Sequence, residues 1–141
     1  MNFLLPVVLV TAMQAAAPTH VQIVSREAMS MVDEPKQAVA RTAAEWATMW
    51  RQHAGDKPLP AVDFRKHTVV AVFLGSRSSA GFSVDVTAAR QANGGVVIEW
   101  QERRPQRGEV SAQVLTSPAV IVTIPKVTGT ITFEKAEQVE Q

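Results

Sequence analysis

The distribution of apolar residues predicts a chain that is rich in β-strands from residue 62 onward. Residues 68–74 form an unbroken apolar run rich in branched side chains, which is typical of a strand buried on both faces. Residues 82–87 and 96–101 alternate between apolar and polar side chains, which indicates strands with one buried face. The residues Asn93-Gly94-Gly95 between them favour a hairpin, because they accept the positive φ angles of tight turns.

A single helix is predicted before this region. Thr42 and Glu45 have the spacing of a capping box, in which Thr42 accepts a hydrogen bond from the first turn and Glu45 reaches back to the cap. Trp46 and Trp50 follow four residues apart, so they share one face of the helix, and we expect both to lie in the core. Gly55 is expected to end the helix.

These elements together predict the fold class. Short strands are expected at residues 21–25 and 37–41, and further strands at residues 110–115, 119–124 and 131–133. One helix among so many closely spaced strands predicts an α+β domain. We expect a mainly antiparallel β-sheet of about six to seven strands with one helix packed on it, and a single domain over residues 18–135.

The two ends of the chain are expected to lie outside this domain. Residues 3–10 are apolar without a break and small residues follow, which is typical of the apolar region and cleavage site of a signal peptide over residues 1–17. The run is too short to span a bilayer. We therefore expect a periplasmic or secreted protein, although a buried first strand of a cytosolic protein is the alternative. Residues 136–141 are expected to form a polar tail.

Composition and charge exclude several classes of function. The chain of 141 residues has 14 basic and 13 acidic residues, a net charge of +1, and no cysteine. A balanced charge gives no long-range attraction for nucleic acid, so we expect no nucleic-acid partner. The absence of cysteine excludes disulfides, thiolate catalysis and zinc–thiolate sites.

No catalytic residue, metal site or cofactor site is predicted from the motifs. His20, His53 and His67 are scattered along the chain and are interpreted as surface residues, with His53 as a cation favoured at the helix C-terminus. Residues 75–81 are small and polar, but the loop joins two strands and does not open a helix, so it is not expected to bind phosphate. Asp85, Glu102 and Glu109 are interpreted as solvated charges.

The order of short motifs between residues 62 and 126 resembles the PrcB C-terminal domain family. The motifs are VVAVFLG at residues 69–75, SAGFSVDV at residues 79–86, the segment from Glu102 to Pro105 with Gly108 nearby, and LTSP at residues 115–118 before an apolar strand that ends in Pro125. The family pattern has Thr-Gly-Gly-Tyr where this chain has Ser-Ala-Gly-Phe, so the second residue and the phenolic hydroxyl differ.

The resemblance implies a function without catalysis. The family is named for a subunit of a bacterial surface protease complex, so the resemblance implies an exported accessory domain that binds another protein, for example an extracytoplasmic protease that it stabilises or inhibits. The candidate binding residues lie in two loops: Arg77, Ser79, Gly81, Phe82, Arg103, Arg104, Pro105 and Arg107. The alternative is a domain that binds a small molecule or an envelope polymer on the polar sheet face near Trp100. A deep apolar pocket beside Trp100 would favour this alternative.

Overall fold

The computed structural model describes residues 19–108 and 111–137. The predicted signal peptide at residues 1–17, the residues Glu109 and Val110, and residues 138–141 of the predicted polar tail lie outside the described part of the chain.

The described residues form seven strands and one helix, which confirms the predicted α+β class. In chain order the elements are β1 (Gln22–Glu27), β2 (Lys36–Ala40), α1 (Ala43–Ala54), β3 (His67–Phe73), β4 (Ser83–Ala92), β5 (Gly95–Arg103), β6 (Ala119–Pro125) and β7 (Ile131–Lys135).

The strands are divided between two sheets, a division that the sequence pattern does not predict. The first sheet has the order β1-β6-β3-β2 and is antiparallel throughout. The second sheet has the order β4-β5-β7; β4 and β5 form the predicted hairpin, with positive φ angles at Asn93 (49°) and Gly94 (77°). β7 pairs with β5 in parallel. The chain reaches β7 from β6 in the other sheet, so this parallel pair needs no crossover helix.

The first sheet is the middle of three layers, with α1 on one face and the second sheet on the other. On β3, Val69 and Ala71 pack with the tryptophans of α1, whereas Val70 and Val72 pack with the hairpin residues of the second sheet. All four are fully buried. The unbroken apolar run of β3 therefore has the predicted cause, because both of its faces lie inside the protein.

The ends of α1 are held largely as predicted. The hydroxyl of Thr42 accepts a hydrogen bond from the Glu45 N–H at 3.2 Å. The carboxylate of Glu45 reaches one residue further back than a capping box requires, to the N–H of Arg41 at 3.2 Å. Trp46 and Trp50 are buried, and their indole N–H groups donate to backbone carbonyls of the segment after the helix. The helix ends at Gly55, whose φ is 61°.

The prediction of His53 as an exposed cation is wrong. The side chain is 2% exposed and continues the buried row of Trp46, Met49 and Trp50 on α1. Its Nδ1 lies 2.7 Å from the hydroxyl oxygen of Ser30, and its Nε2 lies 3.3 Å from that of Ser25. Burial lowers the pKa of His53 below its ordinary value. The imidazole is therefore a neutral part of the core that links α1 to β1 and to the segment after it.

Candidate functional site

The two loops that carry the predicted binding residues are in contact. The first loop, residues 76–82, joins β3 to β4, and the second loop, residues 103–108, leaves the end of β5. They meet where Gly81 lies against Pro105: a Cβ atom at Gly81 would be 2.8 Å from the Pro105 Cγ. Gly81 has a φ of 95°, so both its angle and its close contact require glycine. The two loops that carry the candidate binding residues therefore meet at one point of the fold.

An irregular segment that we call the strap, residues 111–117, fixes the first loop in place. Arg77 and Thr116 exchange two backbone hydrogen bonds of 2.7 and 2.9 Å, and the Ala80 N–H donates to the Ala112 carbonyl at 3.0 Å. The Thr116 hydroxyl donates to the carbonyl of Ser79 at 3.0 Å. The prediction of a strand over residues 110–115 is wrong for residues 111–115, because they join no sheet: the Ala112 carbonyl accepts from the Ala80 N–H of the first loop and from the Val114 N–H of the strap itself.

A buried ion pair anchors the first loop to the second sheet. On β5, Val96, Ile98 and Trp100 point into the core, and the same alternation places Glu102 inward with 2% of its side chain exposed. The guanidinium of Arg77 donates to the Glu102 carboxylate at 2.7 Å. The interpretation of Glu102 as a solvated charge is therefore wrong, because the period of the strand continues through it.

Further contacts complete this cluster around Glu102. Lys135 of β7 lies 3.4 Å from the second carboxylate oxygen, and its ammonium lies 5.3 Å from the centre of the Trp100 ring. Arg77 also lies 5.9 Å from the centre of the Phe82 ring. Burial alone would raise the pKa of Glu102, but the hydrogen bond and charge of Arg77, followed by those of Lys135, outweigh burial and hold this pKa below its ordinary value. Glu102 is thus a charged residue inside the protein.

The predicted binding residues fall into two groups. Arg77, Ser79, Gly81, Phe82 and Pro105 are engaged in contacts that build the two loops, and all except Gly81 are at least half-buried. The remaining three, Arg103, Arg104 and Arg107, are exposed, and none of them forms an ion pair with any residue that the structure describes. Among the predicted binding residues, the exposed cations without an ion pair therefore all lie on the second loop.

Two exposed apolar side chains on the strap were missed by sequence reasoning. Val114 and Leu115 are 49% and 74% exposed, next to Thr116 and its bonds to the first loop. A strand would have buried one of them, but the irregular strap leaves both in solvent. No local signal distinguishes this strap from a strand, because its conformation depends on hydrogen bonds to residues more than 30 positions earlier in the chain. The joined-loop surface, as we call the second loop with Val114 and Leu115, thus combines cations with apolar side chains.

Trp100, on which the alternative of a small-molecule or polymer-binding domain depended, does not lie on the protein surface. Trp100 is 8% exposed and belongs to the core between the sheets, where Lys135 lies over its ring. It therefore does not lie on the polar face of the second sheet. Two surface grooves have volumes of about 370 and 340 Å³, and neither contains Trp100. The first lies between β2 and α1, and the second is lined by residues 22–24 of β1, residues 60–63, His67 and Thr123.

Neither a metal-binding group nor a membrane-spanning helix occurs within residues 19–108 and 111–137. No group of three or more histidine, aspartate or glutamate side chains there is arranged to hold a metal ion. No helix in the same residues is long and apolar enough to cross a membrane.

These features define the protein as a three-layer α+β domain with an internally anchored loop surface at the open end of the β4–β5 hairpin. Residues 68–125 match the family model described as PrcB C-terminal, which confirms the resemblance over this part of the chain. The match includes β4, β5, β6, both loops and the Arg77–Glu102 pair, whereas β1, β2, α1 and β7 lie outside it. No curated protein and no solved structure matches the chain at a significant level.

Proposed function

We propose that this protein is an exported, non-enzymatic accessory domain that binds another protein through the joined-loop surface. The observation that carries the proposal is that Gly81 of the first loop meets both Pro105 of the second loop and Ser111 of the strap. The three exposed arginines and the exposed Val114 and Leu115 therefore lie on two segments that meet at this residue. Arginine is enriched at protein interfaces because its guanidinium can pair with carboxylates and stack on apolar groups. Apolar side chains beside such cations supply contact area.

The family match suggests what kind of partner this surface binds. A PrcB C-terminal domain is expected to act within a protease complex, so an extracytoplasmic protease that the domain stabilises or inhibits is the proposed partner. The absence of any metal-binding group in the described residues is compatible with this function but does not carry it. Charge adds a requirement: a surface with three exposed arginines favours a partner with an acidic patch.

Affinity capture from the native cell envelope tests the proposal. The loop variant replaces four exposed side chains by serine: Arg103, Arg104, Arg107 and Leu115. The control variant replaces four exposed side chains on other segments of the chain by serine, namely Arg51, Lys66, Lys126 and Leu59. Both remove three cations and one apolar group, so a nonspecific loss of charge would affect them equally.

The proposal expects wild-type and control proteins to recover the same partner, identified by mass spectrometry, and the loop variant to lose it. Protease activity in the recovered fraction, raised or lowered by added wild-type protein, would identify the partner class. Equal recovery by the loop and control variants would contradict the assigned surface.

Export is a separate part of the proposal with its own test. Residues 1–17 are proposed to be removed when the protein crosses the inner membrane. N-terminal sequencing of the protein from the cell-envelope fraction is expected to begin near Pro18, the first residue after the proposed signal peptide. Recovery of the protein from the cytosol with Met1 intact would contradict export.

A further inference from the structure

β2 offers an open strand edge beside a groove, on a part of the chain outside the family match. It is the last strand of the first sheet, and β3 is the one strand with which it pairs among the described residues. Alternate residues of such an edge direct their N–H and C=O groups away from the sheet, where an added strand can bind them. The free backbone groups of a short edge strand are usually hydrated, but this edge lies beside α1.

The groove between this edge and α1 has a volume of about 370 Å³. Ala38, Ala44 and Met49 contribute small or apolar side chains to its lining, whereas the neighbouring Val39 packs on the opposite face of the sheet. On the helix, Ala44, Thr48 and Gln52 follow one another at intervals of four and form a continuous row along the groove. From Ala44 to Gln52 the helix advances about 12 Å. An extended chain covers this distance in about four residues.

The two ends of the groove carry opposite charges. Two residues connect the end of β2 to the start of α1, and the helix then runs back along the strand. The end of the helix therefore lies near the start of the strand, where the Lys36 ammonium donates to the Gln52 side-chain oxygen at 3.1 Å. Lys36 is exposed and has two further N–H donors. At the opposite end, Glu45 is exposed and uses one carboxylate oxygen for the Arg41 N–H.

We infer that this groove binds an extended segment of a partner protein, which adds to the edge of β2 as an antiparallel strand. An antiparallel segment has its amino end near Ala40 and its carboxyl end near Lys36, so its ends meet Glu45 and Lys36 respectively. The segment therefore has a basic residue at its amino end, alternating apolar residues that face the groove, and an acidic residue at its carboxyl end. The groove shares no residue with the joined-loop surface, so the two sites are independent.

Titration of the whole protein with two peptides, followed by NMR of its backbone amides, tests this inference. The first peptide is acetylated and amidated Lys-Thr-Val-Thr-Val-Glu, and the second has its two terminal charges exchanged, Glu-Thr-Val-Thr-Val-Lys. The peptides have the same composition, so a difference between them reports the direction of binding. We expect saturable changes in amide chemical shift that are confined to residues 36–40 and 44–52. The first peptide is expected to bind at least about threefold more tightly than the second, which is the size of effect that exposed ion pairs produce.

Variants of the groove provide the matched controls. Thr48→Trp fills the groove from an exposed helical position and is expected to abolish the shifts, whereas Thr132→Trp, on exposed β7, is expected to leave them unchanged. Lys36→Glu is expected to remove or reverse the preference between the peptides. Shifts that do not saturate, shifts centred elsewhere, equal affinity for both peptides, or binding that survives Thr48→Trp would overturn the inference.

Discussion

The Arg77–Glu102 pair predicts an unequal response to removal of its two partners. The side chain of Glu102 is 2% exposed, whereas those of Arg77 and Lys135 are 25% and 46% exposed. Without Glu102, both cations can regain water, so Glu102→Gln is expected to lower the free energy of unfolding by only about 1.5 kcal/mol. Without Arg77, the buried carboxylate loses its 2.7 Å hydrogen bond to a cation, and Arg77→Met is expected to cost about 3 kcal/mol or more.

Chemical denaturation of the wild type, both single variants and the double variant measures these values as a thermodynamic cycle. The double variant is expected to cost less than the sum of the two, because neither partner is left alone. The exposed pair of Arg90 and Glu99 is the matched control: Glu99 lies on the same strand, with 35% of its side chain exposed, and loss of this pair is expected to cost at most about 1 kcal/mol.

The pH dependence gives the same prediction an independent check. The pKa of Glu102 is lowered in the folded protein, so its contribution to stability is complete above its unfolded pKa and is lost as the pH falls through its folded pKa. In Arg77→Met the buried carboxylate is expected to become neutral at a higher pH, so the cost of this substitution should shrink between pH 7 and pH 4. A cost that is equal at both pH values, or a larger cost for Glu102→Gln than for Arg77→Met, would refute the reasoning.

Two further predictions concern other parts of the fold. The folded pKa of His53 is lowered, so its contribution to stability should be complete above its unfolded pKa of about 6.5 and should fall as the pH drops below that value. His53→Gln should therefore reduce the dependence of the free energy of unfolding on pH in this range, as measured by chemical denaturation at a series of pH values. An unchanged pH dependence would contradict the assignment of His53 as a neutral core residue. Gly81→Ala should destabilise the protein by about 1–3 kcal/mol, because the new Cβ meets Pro105 at 2.8 Å, whereas Gly108→Ala has a similar φ but meets nothing within 4 Å and should cost about 1 kcal/mol in the same assay. Equal costs at the two glycines would show that the loop contact has no effect on stability.

The sequence predicts the elements of this fold well because their signals are local. The apolar run of β3, the Asn93-Gly94 turn and the Thr42 cap each depend on residues close together in the chain. Strand order is different: the parallel pairing of β5 with β7 and the division into two sheets arise from packing between distant segments. The residue pattern within one strand does not predict which other strand it pairs with.

The wrong predictions for Glu102 and His53 have the same physical cause: the period of the element and the type of the residue predict opposite locations for the side chain. Glu102 continues the inward series of Val96, Ile98 and Trp100, and His53 continues the buried row of α1. In both cases the period placed the side chain inside, but the residue type suggested solvent, because charged and imidazole groups are rarely buried without partners. The partners, Arg77 for Glu102 and two serines for His53, are distant in sequence and become visible only in the fold.

The burial of Glu102 connects the core to the proposed binding surface. Arg77 bonds not only to Glu102 but also to the carbonyls of Leu74 and Ser76, at 3.0 and 3.1 Å, so one side chain ties the first loop to both sheets. The strap is hydrogen-bonded to that loop, and Pro105 of the second loop packs on Gly81. A surface held in this way loses little conformational entropy when a partner binds. The substitution Arg77→Met should therefore weaken partner capture even though Arg77 itself is half-buried, and by more than loss of a single exposed arginine such as Arg104.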